Sequence, residues 1–281
     1  MVDNAANLEI GQSLLCAGVQ TNYHDVGEGG VEPVLLLHGS GPGVSAWANW
    51  RLTLAALQDD YRLLAPDLAG FGYSQVPTGY QYSRDNWLQQ VLALLDGLQV
   101  SKVNVIGNSF GGSMALALCI AAPERVNKLI LMGSVGVPFT LTPGLDAVWG
   151  YEPSLDNMRA IMKIFAYDQN LIGEDLVALR YQASTRAGVQ EAFAQMFPAP
   201  RQRWVEAMSH PEADIRRIKQ STLLIHGRDD QVIPLETSLR LNQLIENSQL
   251  HVFGRCGHWT QIEHAAAFTR LASEFLAHDI L

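Results

Sequence analysis

The feature that most constrains this chain is a serine set between glycines at the end of an apolar run. Val103-Asn104-Val105-Ile106 leads into Gly107-Asn108-Ser109-Phe110-Gly111-Gly112, and a stretch with helical spacing, Met114 to Ala122, follows. Strand, G-x-S-x-G and helix in that order make a nucleophile elbow. A sharp turn lifts the serine off the end of a buried strand, and the flanking glycines let neighbouring backbones pack closely. A bare G-x-S-x-G arises often by chance; the strand before it and the helix after it supply the context the chemistry needs. Such a turn requires a sheet to project from and helices to cover that sheet.

The rest of the chain has the matching rhythm. Short apolar runs at Val34 to Leu37, Arg62 to Ala65, Leu129 to Met132, Leu223 to Ile225 and Leu250 to Phe253 read as further buried strands. Between them lie helical patterns such as Trp87 to Leu98, with Trp87, Val91, Leu94, Leu95 and Leu98 on one face. Strands alternating with helices predict an α/β domain with a mostly parallel sheet covered on both faces. From about Pro138 to Arg217 no strand-like run appears. Helical patterns (Leu155 to Ala166, Glu174 to Ala183, Gln190 to Met196) are punctuated there by Pro143, Pro153, Pro198 and Pro200. The chain thus reads as one core domain, residues 1–137 with 206–281, carrying a helical lid, residues 138–205, over the strand ends. At 281 residues and 48% hydrophobic content it can bury one large core.

Charge and cysteine content narrow the function classes. With 19 Lys+Arg against 28 Asp+Glu and a formal charge of −9, a nucleic-acid backbone or an anionic membrane is a poor main partner. A local arginine can still reverse the field inside one pocket. Cys16, Cys119 and Cys256 are far apart and lack CxxC or His-rich spacing, so neither a disulfide framework nor a metal site is expected, and a reducing cytoplasm is the simplest home. The N-terminal stretch Met1 to Ile10 has no basic flank followed by an apolar run, and no segment reaches the ~20 apolar residues of a membrane span. A soluble, unprocessed protein is the expectation.

A serine hydroxyl is a weak nucleophile at neutral pH and needs a base, and the base needs a group that fixes its tautomer. Both follow in the order this fold requires. The strand at Leu223 runs into His226-Gly227-Arg228-Asp229-Asp230-Gln231-Val232-Ile233-Pro234; Asp230 is the better candidate acid and Asp229 its competitor. Alone, this loop would read as a turn-forming aspartate pair. The strand at Leu250 runs into Gly254-Arg255-Cys256-Gly257-His258-Trp259, which places His258 on a glycine-bounded loop. Ser109, Asp230 and His258, each just past a strand, form the candidate catalytic triad. His24, His38, His210, His226, His251 and His264 lack such placement and read as structural or solvated.

The oxyanion formed when Ser109 attacks a carbonyl needs two preorganised donors. One is the N–H of Phe110, after the nucleophile; the other is expected from the loop after an early strand. That loop is His38-Gly39-Ser40-Gly41-Pro42-Gly43, whose glycines let backbone amides approach a ligand. A phosphate cradle is the competing reading, but the loop has neither GK[ST] nor G-x-G-x-x-G.

In HGSGPGVSAWANW (His38 to Trp50), APDLAGFGYS (Ala65 to Ser74), GNSFGG (Gly107 to Gly112), LMGSVG (Leu131 to Gly136), FPAPRQRW (Phe197 to Trp204), HGRDDQVIP (His226 to Pro234) and FGRCGHWTQIEH (Phe253 to His264), the chain resembles the meta-cleavage product hydrolases. These are carbon–carbon bond hydrolases of the α/β-hydrolase fold. The resemblance covers essentially the whole chain and is nearest to the monocyclic branch, the 2-hydroxymuconate semialdehyde hydrolases and their alkylbenzene-pathway relatives. It implies an eight-stranded sheet, no cofactor, a homo-oligomer, and a 2-hydroxy-6-oxo-dienoate substrate cut by water at C5–C6.

The resemblance also assigns roles. The amides of Ser40 and Phe110 hold the oxyanion, and Arg180 binds the substrate carboxylate, where composition alone would make it a helix-surface arginine. Asn49, Asn108 and Trp259 line the dienoate side, and Gly39 and Gly41 belong to the substrate-binding set; Trp259 reads equally as lid-packing core and Asn108 as a turn residue. Trp149 joins the substrate-binding set. On the acyl side Val135, Val205 and Ile233 are branched, which implies hydrogen or a small alkyl group at C6 rather than phenyl. Which group carries out ketonisation of the dienol is left open. The competing readings are a carboxylesterase or lactonase on the same triad, since fold does not set substrate, and a non-enzymatic small-molecule receptor on this scaffold. Haloalkane dehalogenases and epoxide hydrolases use an aspartate where this chain has Ser109.

Overall fold

The computed structural model describes residues 7–29 and 32–278. The start of the stretch Met1 to Ile10 and the last residues of the core segment 206–281 lie outside the described residues. The described chain opens on a hairpin, β1 (Gln12–Cys16) and β2 (Val19–Val26), turned by Ala17 and Gly18, both at positive φ. Then come β3 (Val34–Leu37), α1 (Ala46–Leu57), β4 (Leu63–Pro66), α2 (Arg84–Gly97), β5 (Val103–Asn108), α3 (Phe110–Ala121) and β6 (Val126–Met132). A run of helices follows: α4 (Pro143–Trp149), α5 (Leu155–Phe165), α6 (Glu174–Ser184), α7 (Val189–Met196), α8 (Gln202–Ala207) and α9 (Glu212–Ile215). The chain closes with β7 (Ser221–Gly227), α10 (Leu235–Leu244), β8 (Ser248–Phe253), α11 (Thr260–Glu263) and α12 (Ala265–Ala277).

The eight strands form one sheet in the order β1-β2-β4-β3-β5-β6-β7-β8. Pairings of β2 with β1 and β4 are antiparallel, and all from β4 to β8 are parallel. All six strands expected from apolar runs are present within a few residues. The hairpin β1–β2 went unread because its sequence is polar: QSLLC is largely exposed, and VQTNYHDV buries Thr21, Asn22 and His24 alongside Val19 and Tyr23, so no apolar run marks it.

Period-two alternation divides the core between the two faces of the sheet. Val34, Leu36, Leu63, Ala65, Ile106, Ile130, Leu223 and Ile225 pack with Trp50 and Leu54 of α1 and with Phe268 and Phe275 of α12. Their strand neighbours Leu35, Leu37, Leu64, Val105, Leu129, Leu131 and Leu224 pack on the other face with Leu95 of α2, Leu118 of α3 and Leu241 of α10. Each such side chain contributes ~1.5–3 kcal/mol when withdrawn from water, so a one-residue slip of register is heavily penalised. That second face is continuous with buried residues of the helical run, among them Leu145, Val148, Ile161, Met162 and Phe193. No helix among the described residues is long and apolar enough to cross a membrane.

Candidate active site

Because β5, β7 and β8 run parallel, the loops that leave them emerge at one end of the sheet. Ser109 sits between the last residue of β5 and the first of α3 at φ 56°, ψ −115°, a conformation that a side-chain-bearing residue rarely adopts. Its surroundings hold it there: the Ser109 N–H donates to Met132 O at 2.8 Å, and Ser109 O accepts from Gly112 N at 3.0 Å and Val135 N at 3.2 Å. Gly111 must be glycine, since a Cβ there would run into the backbone at the end of β3, Leu37 and His38.

Asp230 lies three residues past β7 and is 1% exposed. Its Oδ2 is 2.7 Å from His258 Nδ1, and its Oδ1 accepts from the Val232 and Ile233 amides at 2.7 and 3.0 Å. Burial alone would push the Asp230 carboxyl up, but the charges and hydrogen bonds of His258 and His226 outweigh it and hold Asp230 below the usual carboxylate range. In the neutral imidazole this bond puts the proton on Nδ1 and leaves Nε2 as an acceptor. The His258 amide donates to Phe165 O of α5 at 2.7 Å, so the loop is tied to the helical run above it. Asp229 instead accepts from the Cys256 amide and from Arg228, and makes no bond to His258. A hydrogen bond between Ser109 Oγ and His258 is not among the contacts of the described residues, although both side chains line the same cavity.

The loop after β3 is braced from two sides. His38, fully buried and pushed down to about 4 by burial, is neutral: its Nδ1–H donates to Gly39 O at 2.7 Å and its Nε2 accepts from the Leu68 amide at 2.9 Å. Asn49 of α1 takes the Gly39 N–H at 3.3 Å and the Asn108 amide group at 3.0 Å on the same oxygen. Trp149 Nε1 donates to the Ser40 hydroxyl at 3.0 Å. Phe110, first in α3, has an amide with no intrahelical acceptor, as every helix start does.

Over Ser109 lies a cavity of about 510 Å³. Its apolar lining includes Leu145 and Val148 of α4, Met158, Ile161, Met162 and Phe165 of α5, and Val232 and Trp259. Its polar lining includes Asn49, Asn108, Arg180, Gln261 and Glu9. Arg180 reaches in from α6 and meets Glu9 Oε1 at 3.1 Å. Among the described residues, Asn49 Nδ2, Asn108 Oδ1, Arg180 Nε and Gln261 Oε1 are buried without a hydrogen-bond partner. No cluster of side chains that could hold a metal ion occurs among the described residues.

Residues 32–265 match the family model described as the alpha/beta hydrolase fold. The chain is 59% identical to a 2-hydroxy-6-oxo-2,4-heptadienoate hydrolase of Pseudomonas putida, over 97% of this chain and 98% of that one. It is 56% identical to a 2-hydroxymuconate semialdehyde hydrolase of Pseudomonas sp. (strain CF600), over 96% and 94%. A solved meta-cleavage product hydrolase from Pseudomonas fluorescens IP01 superposes with a TM-score of 0.95 at 55% identity, covering 96% of this chain and 99% of that one. This chain belongs to the meta-cleavage product hydrolases, within the α/β-hydrolase family.

Of the residues singled out in sequence, this meta-cleavage product hydrolase brings Gly39, Ser40, Gly41, Asn49, Asn108, Ser109, Arg180, His258 and Trp259 to one cavity. Phe110 and Asp230 sit directly behind it in the elbow and the triad. Val135, Trp149, Val205 and Ile233 are buried in the core and do not themselves line the cavity. Val135 and Ile233 nevertheless bond through their amides to Ser109 O and Asp230 Oδ1, and Trp149 bonds Ser40.

Two groups went unread. His226, set aside as structural or solvated, is fully buried with Nε2 3.4 Å from Asp230 Oδ2 and 3.0 Å from Ile233 O, while its Nδ1 meets Ser238 Oγ at 2.7 Å. It is a second histidine on the candidate acid, and a histidine at a strand end carries no motif to announce that. Glu9 belongs to the stretch read only for targeting signals, and nothing local links it to Arg180.

Proposed function

We propose that this chain hydrolyses the C5–C6 bond of 2-hydroxy-6-oxo-dienoate ring-fission products, releasing 2-hydroxypenta-2,4-dienoate and formate or a small carboxylic acid. One observation carries the reading. The cavity that holds Ser109 and His258 also holds four buried polar atoms without a partner among the described residues, Arg180 Nε, Asn49 Nδ2, Asn108 Oδ1 and Gln261 Oε1. Such atoms are costly in a protein interior unless a ligand satisfies them. A dienoate supplies the complement: a carboxylate for the guanidinium and an oxygen at C2 that both accepts and donates. The names of relatives at 59% and 56% identity point to the same substrate class.

Mechanistically, a carbon leaving group is not expelled as a bare carbanion, so the dienol first ketonises and its fragment becomes a vinylogous electron sink. Ser109 Oγ then attacks the C6 carbonyl while His258 Nε2 takes its proton, and Asp230 holds the imidazole in the required tautomer. The Ser40 and Phe110 amides receive the oxyanion. The C5–C6 bond breaks as its electron pair passes through C5, already a CH2 after ketonisation, and the C3–C4 double bond to the C2 ketone oxygen, which takes the proton held by His258 and so forms 2-hydroxypenta-2,4-dienoate. Water, activated by His258, releases the acyl group from Ser109.

In this reading residues 138–205 are a lid on a core of 1–137 and 206–281. The support is that α4, α5 and α6 furnish a large part of the apolar cavity wall, with α8 and α9 leading the chain back to β7. Hydrogen or a small alkyl group is preferred at C6, the class of substrate named for the relatives at 59% and 56% identity. Three separate buried free thiols fit a reducing cytoplasm, and homo-oligomer formation is carried over from the family.

The test is loss of the dienolate absorbance of 2-hydroxymuconate semialdehyde, its 6-methyl homologue and its 6-phenyl analogue, with wild type beside Ser109→Ala. Rapid Ser109-dependent decay of the first two and slow decay of the third is expected. Fastest decay of the phenyl compound would overturn the C6 preference alone; no decay of any would overturn the C–C hydrolase reading.

A further inference from the structure

We propose that Glu9 is a positioning residue that holds Arg180 in the cavity as the substrate's carboxylate anchor; this rests on the reading of Arg180 above. Arg180 comes from a lid helix on a long side chain, and desolvation and two like charges act on it. Arg51, on the cavity wall, and Arg186 both repel it. Neither of these has an ion-pair partner among the described residues: Arg51 donates to Ala48 O at 2.8 Å, and Arg186 donates to Gly72 O at 2.8 Å and lies 3.8 Å over the Tyr73 ring. Among the described residues, no other group bonds the Arg180 guanidinium to keep it from swinging away. Glu9 does, through the 3.1 Å contact of its Oε1 with Nη2.

Glu9 is itself fixed more firmly than a residue ahead of the first strand need be. Its Oε2 accepts from Ser45 Oγ at 2.7 Å, the hydroxyl that also caps α1. Its backbone oxygen accepts from Asn22 Nδ2 at 3.0 Å, Asn22 Oδ1 takes the Gly11 amide at 2.8 Å, and Asn7 donates to the Tyr73 hydroxyl at 2.6 Å. A carboxylate pinned at both oxygens, with its backbone tied to β2, is a rigid stop for a flexible guanidinium.

The contact uses only one edge of Arg180. Nε stays buried and unpartnered, so the fork can still take a second carboxylate. Charge favours this occupant: Arg51 and Arg180 against Glu9 leave one positive charge on the cavity wall, the complement of a single carboxylate. The anchor also straddles the molecule, Glu9 and Ser45 on the core and Arg180 on the lid.

The experiment compares wild type, Glu9→Gln, Glu9→Ala, Arg180→Ala and the Glu9→Ala/Arg180→Ala pair, using 2-hydroxymuconate semialdehyde and a carboxylate-free aryl ester. Glu9→Gln keeps the shape and one accepting oxygen while removing the charge, and so guards against misfolding. Glu9→Ala is expected to raise KM for the dienoate about ten- to a hundredfold with a much smaller change in kcat. The ratio of dienoate to ester kcat/KM falls with it, Glu9→Gln lies between, and Glu9→Ala adds nothing once Arg180 is gone. An unchanged or lowered dienoate KM, or equal loss on both substrates, overturns the inference. If wild type cleaves no dienoate, the C–C hydrolase reading fails by itself. Calorimetric binding of 2,4-hexadienoate, weakened by Glu9→Ala or not, then decides the role of Glu9 separately.

Discussion

At the scale of single residues the site is governed by what burial does to charge. Asp230 gives up its hydration, and two backbone amides and two imidazoles replace it. It therefore stays ionised and keeps the His258 proton on Nδ1. Asp229, one residue earlier, faces the Arg228 guanidinium and the Cys256 amide instead. The choice between the two aspartates, which spacing left open, thus has a geometric answer. Asp230→Asn is expected to lower kcat by ~10³–10⁴ while leaving the fold intact, because the amide favours the wrong tautomer. Asp229→Asn is expected to change it by less than about tenfold, since its lost bonds are partly exposed. Steady-state rates of the two variants, with circular dichroism to confirm folding, check this; a larger loss in Asp229→Asn would reverse the assignment.

At the scale of elements, buried polar residues join pieces that apolar packing leaves free to slide. Asp67, directly after β4, accepts from the Ala46 amide at the start of α1 at 2.6 Å, from the Tyr73 amide at 2.7 Å and from Asn22 of β2 at 2.7 Å. Burial is the larger influence and lifts its pKa to about 6, against the pull of those three donors. A carboxyl whose folded pKa is raised binds its proton more readily in the folded state. Its contribution is fully present below the ordinary value of 3.8 and is lost as pH rises through about 6. Relative to Asp67→Asn, which does not titrate, wild type is therefore expected to gain about 2 kcal/mol in unfolding free energy between pH 7 and pH 4. Urea unfolding of both proteins across that range measures it, and a pH-independent difference would refute it.

At the scale of the whole molecule, the helical run after β6 and the loop that carries His258 share a clasp. Glu263, at the end of α11, accepts from the Gly257 amide at 2.7 Å on one oxygen and from the Tyr167 and Asp168 amides at 2.8 and 2.9 Å on the other. It binds the segment after α5 to the loop that carries His258, beside the stack of Phe165 on Trp259 at 5.1 Å. Glu263→Ala leaves three amides without their acceptor, so kcat/KM is expected to fall about tenfold or more for dienoate and neutral ester alike. The common factor separates this clasp from the carboxylate anchor at Glu9 and Arg180. Selective loss on one substrate would show that Glu263 acts on recognition rather than on the catalytic loop.

Some of this was legible in one dimension because its signals are local. An elbow needs its glycines within two residues of Ser109, a buried strand announces itself by a run such as VLLL, and Asp230 and His258 each follow their strand within a few residues. The family stretches, being contiguous, carried Asn49 and Trp259, and the resemblance assigned Arg180. What stayed hidden is pairwise and distant: Glu9 with Arg180, His226 with Asp230 beneath the triad, Glu263 with the lid, and the cavity wall of Leu145, Val148, Met158, Ile161 and Met162 in place of Val135, Val205 and Ile233. The hairpin β1–β2 escaped for a related reason, since its polar residues are buried by hydrogen bonds to other segments rather than by an apolar pattern of their own. Sequence by itself determined the parallel strands, the elbow and the order of the candidate catalytic residues, because backbone sterics and hydrophobic periodicity act over a few residues. Only the tertiary structure decided which side chains share a wall and which charges neutralise one another, because those depend on distances in space that chain position does not encode.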